Sequence, residues 1–245
     1  MASPKDLAHE LEQGAELPSG NDERFVGYAV MGLPFTSGHL LAMRRWPASS
    51  LGEPYTSVWH RDPLGRWTFY TDVPPQLACP RYFGSAITEA AVREIEIAWR
   101  GPQEFTVSIE DDPRLDWRLS LMETLATRLM NAMGGVLPDP LWRQEAVLKP
   151  IGKAAGPVLR AGHLGLAGRV PNRQRFIVNP VRIWAIRSST ARIDDQDLGE
   201  VGPLGVQTRL ADFWIPQRGI FAIGRAFFEP LDLARHALTT AISSG

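Results

Sequence analysis

The sequence predicts a mainly β fold: a large antiparallel β-barrel or strongly curved sheet, with two strand groups separated by a helical insertion. Three observations carry this. Period-two alternation recurs along the chain, most clearly in Val92–Trp99, where Ile95, Ile97 and Trp99 share one face and Glu94 and Glu96 the other. Turn signals rich in Gly, Pro and Asp separate such runs at close intervals. Between residues 121 and 161 the period becomes helical, with Met122, Leu125, Leu129 and Met133 recurring on one face.

Residues 1–24 read as a polar N-terminal segment with one short helical pattern around Leu7 and Leu11. Residues 25–245 read as a single β-rich domain. Its first strand group, 25–120, opens with Phe25–Met31 and His39–Trp46, parted by Gly32, Pro34 and Gly38. Ser57–Asp72 reads as a hairpin with Val58 and Tyr70 on its two arms and Trp59 and Trp67 flanking the turn. Pro63 pre-sets φ for the turn Asp62-Pro63-Leu64-Gly65, and Gly65 takes the left-handed conformation that a bulged turn needs. A Pro-rich link at residues 73–76 leads through Cys79 to the alternating run at 92–99. Gly101-Pro102 then turns the chain into Phe105–Ile109, and Asp111–Arg114 turns it into Leu115–Leu119.

In the insertion, Gly134-Gly135 ends the first helix. Asp139-Pro140 supplies an N-cap and an N1 proline for a second helix through Leu148, which Pro150 is expected to interrupt. Gly152 and Gly156 have a spacing that allows close packing. The second strand group, 162–229, comprises 162–169, 175–178, 182–188, 206–210 and 219–228, and a helix over 230–243 closes the chain. Gly38-His39-Leu40 is echoed by Gly162-His163-Leu164, as a duplicated sheet would produce, and as would chance in a chain with 22 glycines and 20 prolines.

The layout is of the calycin (lipocalin-like) kind by architecture alone; no lipocalin motif is present. A length of 245 residues with 44% hydrophobic and 22% charged content suits a globular protein with a real core. A net charge of −1, with scattered arginines, argues against nucleic acid or an anionic membrane as partner. A lone cysteine, Cys79, excludes an intramolecular disulfide or a cysteine-based metal cluster. The N-terminus lacks the apolar run of a signal peptide, and no stretch approaches a membrane span, so a cytoplasmic location is expected.

No P-loop, dinucleotide fingerprint or nucleophile elbow is present, and no cofactor is expected. No His-x-His or His-x-x-x-His pair supports a metal site. His60 with Asp62 is the candidate general base and its orienting carboxylate; alternation points either His60 or Arg61 into the barrel, and His60 is the choice. Eight tryptophans, most on strands, line a cavity if the barrel is hollow and fill space if it is packed. The expected ligand-binding residues are Trp59, Arg61, Trp67, Tyr70, Trp99, Trp117, Trp184 and Arg187, with Arg45 and Arg218 as further anchors for a carboxylate or carbonyl.

These residues lead to a protein that binds a small hydrophobic molecule inside the barrel, with residues 121–161 over one end. Hydratase, isomerase or cyclase chemistry is the kind His60 and Asp62 would support. A non-catalytic module that uses the apolar helices to bind a partner or form a homodimer is the alternative. A second alternative is Schiff-base chemistry at Lys149 or Lys153, where a neighbouring cation and a dry pocket would depress a lysine pKa.

Overall fold

The computed structural model describes residues 2–134, 138 and 140–236. A helix α1 (Pro4–Gly14) precedes the strands β1 (Glu23–Pro34), β2 (Leu40–Ser49), β3 (Tyr55–Arg61) and β4 (Trp67–Thr71). A short helix α2 (Pro80–Phe83) leads to β5 (Glu89–Val92), β6 (Glu96–Gly101), β7 (Glu104–Ile109) and β8 (Leu115–Met122). The helical insertion holds α3 (Leu125–Gly134) and α4 (Glu145–Leu159). Then come β9 (Ala167–Arg169), β10 (Arg175–Ile193), β11 (Gln196–Asp197), β12 (Arg209–Leu210), β13 (Phe213–Trp214) and β14 (Ile220–Phe228).

Ten strands form one continuous sheet in the order β5-β4-β3-β2-β1-β14-β10-β8-β7-β6. All neighbours are antiparallel except β4 and β5, which pair in parallel. The two predicted strand groups therefore build a single sheet, with β14 and β10 joining the meanders. Read around the curl, these strands follow chain order and β14 returns to β1; the arrangement departs from the up-and-down pairing of a calycin layout at the parallel β4–β5 pair and between β5 and β6, which are not paired with each other.

The sheet is strongly curled. Its edge strands β5 and β6 are consecutive in sequence, so Val92 and Glu96 are four peptide steps apart. At about 3.3–3.6 Å per residue the two edges must meet there. The predicted single strand Val92–Trp99 is thus two strands on opposite edges. Curling places Val58 and Tyr70 from one half and Phe105, Trp117 and Leu119 from the other in one buried cluster. Helix α1 packs Leu7 and Leu11 on this cluster. It is tied down by Glu12, which accepts from the Tyr28 hydroxyl and from Arg45 (2.9 and 2.8 Å).

The hairpin follows its sequence. Val58 pairs with Tyr70, Gly65 has φ +89°, and the Gly65 amide donates to the Asp62 carbonyl. Other segments differ from expectation. Segments 175–178 and 182–188 are one long strand, β10, with a register shift between Pro180 and Arg182. The predicted strand 162–169 is ordered as β only at 167–169.

Pro150 does not interrupt the second helix; α4 runs through both Pro150 and Pro157. Each proline removes one amide donor, leaving the carbonyls of Ala146 and Lys153 unbonded within the helix. Both of those residues are exposed, so water can satisfy them. Before α4, Leu141–Arg143 forms a short 3-10 turn; the predicted N-cap, Asp139, lies outside the described residues. At the C-terminal end, Leu233–Arg235 forms a turn where a helix was expected, and residues 237–245 lie outside the described residues. No helix among the described residues is long and apolar enough to cross a membrane.

Candidate functional site

Large side chains crowd the curled interior. Trp117 is fully buried, with its indole N–H donating to Ser189 Oγ (2.9 Å), and Trp184, Phe105 and Trp99 all meet Phe221. The predicted ligand-lining residues are also divided by the sheet. Tyr70, Trp99, Trp117 and Trp184 pack on the inner face, whereas Trp59 and Trp67 pack on the outer one against Phe69 and Phe83. Arg187 is exposed beside the β10 bulge. Arg61 is held by the carbonyls of Gly38 and Asp62 (3.3 and 3.2 Å), Arg45 pairs with Glu12, and Arg218 is exposed.

His60 lies opposite Leu41, on the Val58 side of the hairpin. Its ring stacks on His39 (interplanar angle 13°), with Nε2 2.9 Å from His39 Nδ1. The Asp62 carboxylate is engaged by Arg66, through its backbone N–H (2.9 Å) and its guanidinium (2.6 Å), so the turn occupies it. His163, the other member of the sequence echo, stands apart and packs against Trp214 with the rings tilted at 55°. Among the described residues no three His, Cys, Asp or Glu side chains converge as a metal site.

One open space lies outside the curl. A cavity of about 190 Å³ is enclosed between the outer face of β1, β14 and β10 and the helices α3 and α4. Alternation explains its location: β14 turns Phe221 and Ile223 inward and leaves Ala222 facing out. Ile151, Ala155 and Leu159 of α4 form the roof, and Met31, Ile220 and Ala222 the floor. Met133 lines the cavity and is 60% exposed, so the cavity reaches the surface near the end of α3.

Two devices hold the helices at this distance. Along one edge of β10, pairing with β9 ends at Ile177 and pairing with β8 starts at Ala185. Asn131 of α3 fills this gap: its amide accepts from the Ile183 N–H (2.9 Å) and donates to the Ile183 carbonyl (3.0 Å), as a strand would. On α4, a Cβ at Gly152 or Gly156 would fall 2.4 Å from the Leu164 carbonyl oxygen or 2.1 Å from that of Gly162. Only glycine allows this approach, as the spacing predicted.

With Asn131 satisfied, the cavity walls present almost no free polar group. Lys149 and Lys153 are not among its lining residues; both are exposed on the other side of α4, and Lys149 pairs with Glu145 (2.6 Å). A more open cleft above β7, β8 and β10, lined by Arg100, Arg118 and Ser189, has walls of mixed polar and apolar character.

Next to the apolar cavity, and sharing Met31 and Val178 with it, is a space of about 40 Å³ lined by Arg44, Tyr55, Trp59 and Cys79. Arg44 is the site residue that sequence reasoning missed. It is 3% exposed, stacks on Trp59 at 4.5 Å, and donates to the carbonyls of Val30, Met31 and Met43. The signal was available: adjacent arginines on one strand must face opposite sides, so either Arg44 or Arg45 had to enter a buried face.

No known protein family matches the sequence, and no curated protein does. Among solved structures the chain is similar to an acetoacetate decarboxylase from Legionella pneumophila subsp. pneumophila str. Philadelphia 1. The identity is 9% over 91% of this chain and 89% of that one, with a TM-score of 0.41. A likeness at that level says nothing about chemistry.

Proposed function

We propose that the protein binds a small hydrophobic molecule, held beneath α3 and α4 against the outer face of the sheet and not inside the curl. The observation that carries this reading is the 190 Å³ cavity with apolar walls. Close-packed interiors rarely leave a void this large, and an apolar cavity of roughly 150 Å³ stays dry and takes up benzene. His60 and Asp62 belong to the hairpin, so the reading is one of binding without proton transfer by that pair.

Ala222 provides the test. Leucine at this position projects three more carbons into the cavity. Wild type is expected to bind 1-octanol in calorimetric titration, and Ala222→Leu to lose that binding by tenfold or more while gaining up to ~2 kcal/mol of stability through cavity filling. Ala155→Leu, from the opposite wall, should act the same way. Failure of wild type to bind apolar probes, with no small molecule released from purified protein in native mass spectrometry, would remove the proposal.

A second reading, the dimerisation module, is favoured by one observation. Leu125, Leu129 and Met133, four residues apart on α3, are 85%, 55% and 60% exposed. Such a row is a candidate contact between two copies of the chain. Light scattering should then show a dimer that Leu129→Glu converts to a monomer; a monomeric wild type ends this reading.

A further inference from the structure

Among the described residues Arg44 is a buried cation without a counter-ion. Among the described residues no carboxylate lies within ion-pair distance of it, and its bonds to the carbonyls of Val30, Met31 and Met43 supply only partial charge. These three bonds engage three of the five N–H groups of a guanidinium. Burial lowers its pKa to about 10, which leaves it protonated at neutral pH. A buried charge of this kind is costly unless something neutralises it.

The walls of the space beside Arg44 are mostly apolar, with a small polar surface at Arg44, Tyr55, Trp59 and Cys79. Trp59 Nε1 is buried and has at best a weak interaction with the Cys79 sulfur, and the Tyr55 hydroxyl has only that same sulfur, at 3.7 Å. Burial pushes the Cys79 thiol up, so it remains neutral and provides no negative charge. At 40 Å³ the space is little larger than the roughly 30 Å³ share of a water molecule, which suits a compact, singly charged group. Across the shared wall lies the apolar cavity. Met31 packs against both neighbouring clusters, and a methionine side chain is supple enough to move aside for a ligand that spans the two spaces.

We infer that the ligand is a medium-chain monocarboxylate, its carboxylate against Arg44 and Trp59 Nε1 and its hydrocarbon tail beneath α3 and α4. This rests on the cavity reading and adds the head group to it. Scaled from the six carbons of benzene in roughly 150 Å³, the larger cavity takes a tail of about six to eight carbons, which makes octanoate the probe.

Calorimetric titration of wild type with octanoate, 1-octanol and octylamine near neutral pH tests the inference. Octanoate is expected to bind about 10- to 100-fold more tightly than 1-octanol, the range of a charge-assisted hydrogen bond, and octylamine more weakly than either. Arg44→Met is expected to erase the advantage of octanoate over 1-octanol when both are titrated into the same variant; Arg44→Lys, which keeps the charge, should retain part of it. The head-group comparison is made in wild type, so a variant that fails to fold does not undo it. Equal binding of octanoate and 1-octanol overturns the inference and leaves the cavity reading standing, whereas binding of neither overturns both.

Discussion

Replacing Trp117 with alanine is expected to destabilise the protein by about 3–5 kcal/mol, the usual cost of emptying a large aromatic site in a packed core. Trp117 is fully buried on β8 among residues from both halves of the curled sheet. Its indole N–H donates to Ser189 Oγ, which in turn donates a hydrogen bond to the Arg118 carbonyl (2.9 Å each). Alanine removes the ring and this bond together. The surrounding strands are locked in register, so they can collapse only partly onto the void. Trp117→Phe, which keeps most of the volume, should cost much less. Urea midpoints measure both, and binding of 1-octanol by the surviving folded fraction should be unaffected, because the ligand cavity is on the other side of the sheet. A loss below about 1 kcal/mol would mean the interior is slack, and would restore the hollow barrel as the place for a ligand.

How much of this was legible in the sequence depended on the distance over which each signal acts. The hairpin at Asp62–Gly65 is local, and its turn residues define it completely. Strand alternation is also local, and it correctly paired Phe105, Val107 and Ile109 on one face. Curvature is not local. That Val92 and Glu96 lie on opposite edges of one sheet follows from pairings more than a hundred residues apart in the chain, as between β1 and β14. For the same reason the eight tryptophans could not be sorted into inner and outer faces, and a single ligand-lining set was drawn across both. Pro150 misled for a different reason: its local rule holds in a buried helix but is relaxed where the freed carbonyl faces water.

The candidate site shows the same division. Gly152 and Gly156 signalled close packing through their spacing alone. Arg44 did not stand out, because a buried arginine is recognised by what surrounds it: Trp59 from the next strand, Cys79 from a later loop, and carbonyls from β1. Its neighbour Arg45 pairs instead with Glu12 of the N-terminal helix.

The histidine pair makes the second large prediction, a loss of stability in mild acid. Burial, and then the neighbouring His39, depress the His60 pKa from 6.5 to about 4, against a smaller opposing pull from Asp62. Burial lowers that of His39 as well. The folded state therefore disfavours the protonated imidazole, while the unfolded chain accepts a proton near pH 6.5. Stability contributed by the neutral ring is fully present above about pH 6.5 and is lost progressively as pH falls towards 4. The full window corresponds to roughly 3 kcal/mol at most, because His60 retains some contact with water. His60→Gln, which keeps a hydrogen-bonding group beside His39 but cannot titrate, should flatten this part of the profile. Carboxylates that titrate at the lower end of the window do so in both proteins, so the difference between their urea midpoints across the range isolates the ring. Parallel profiles for wild type and His60→Gln would show that the stacked pair accommodates a proton without cost, and would return His60 to consideration as a group that exchanges protons near neutral pH.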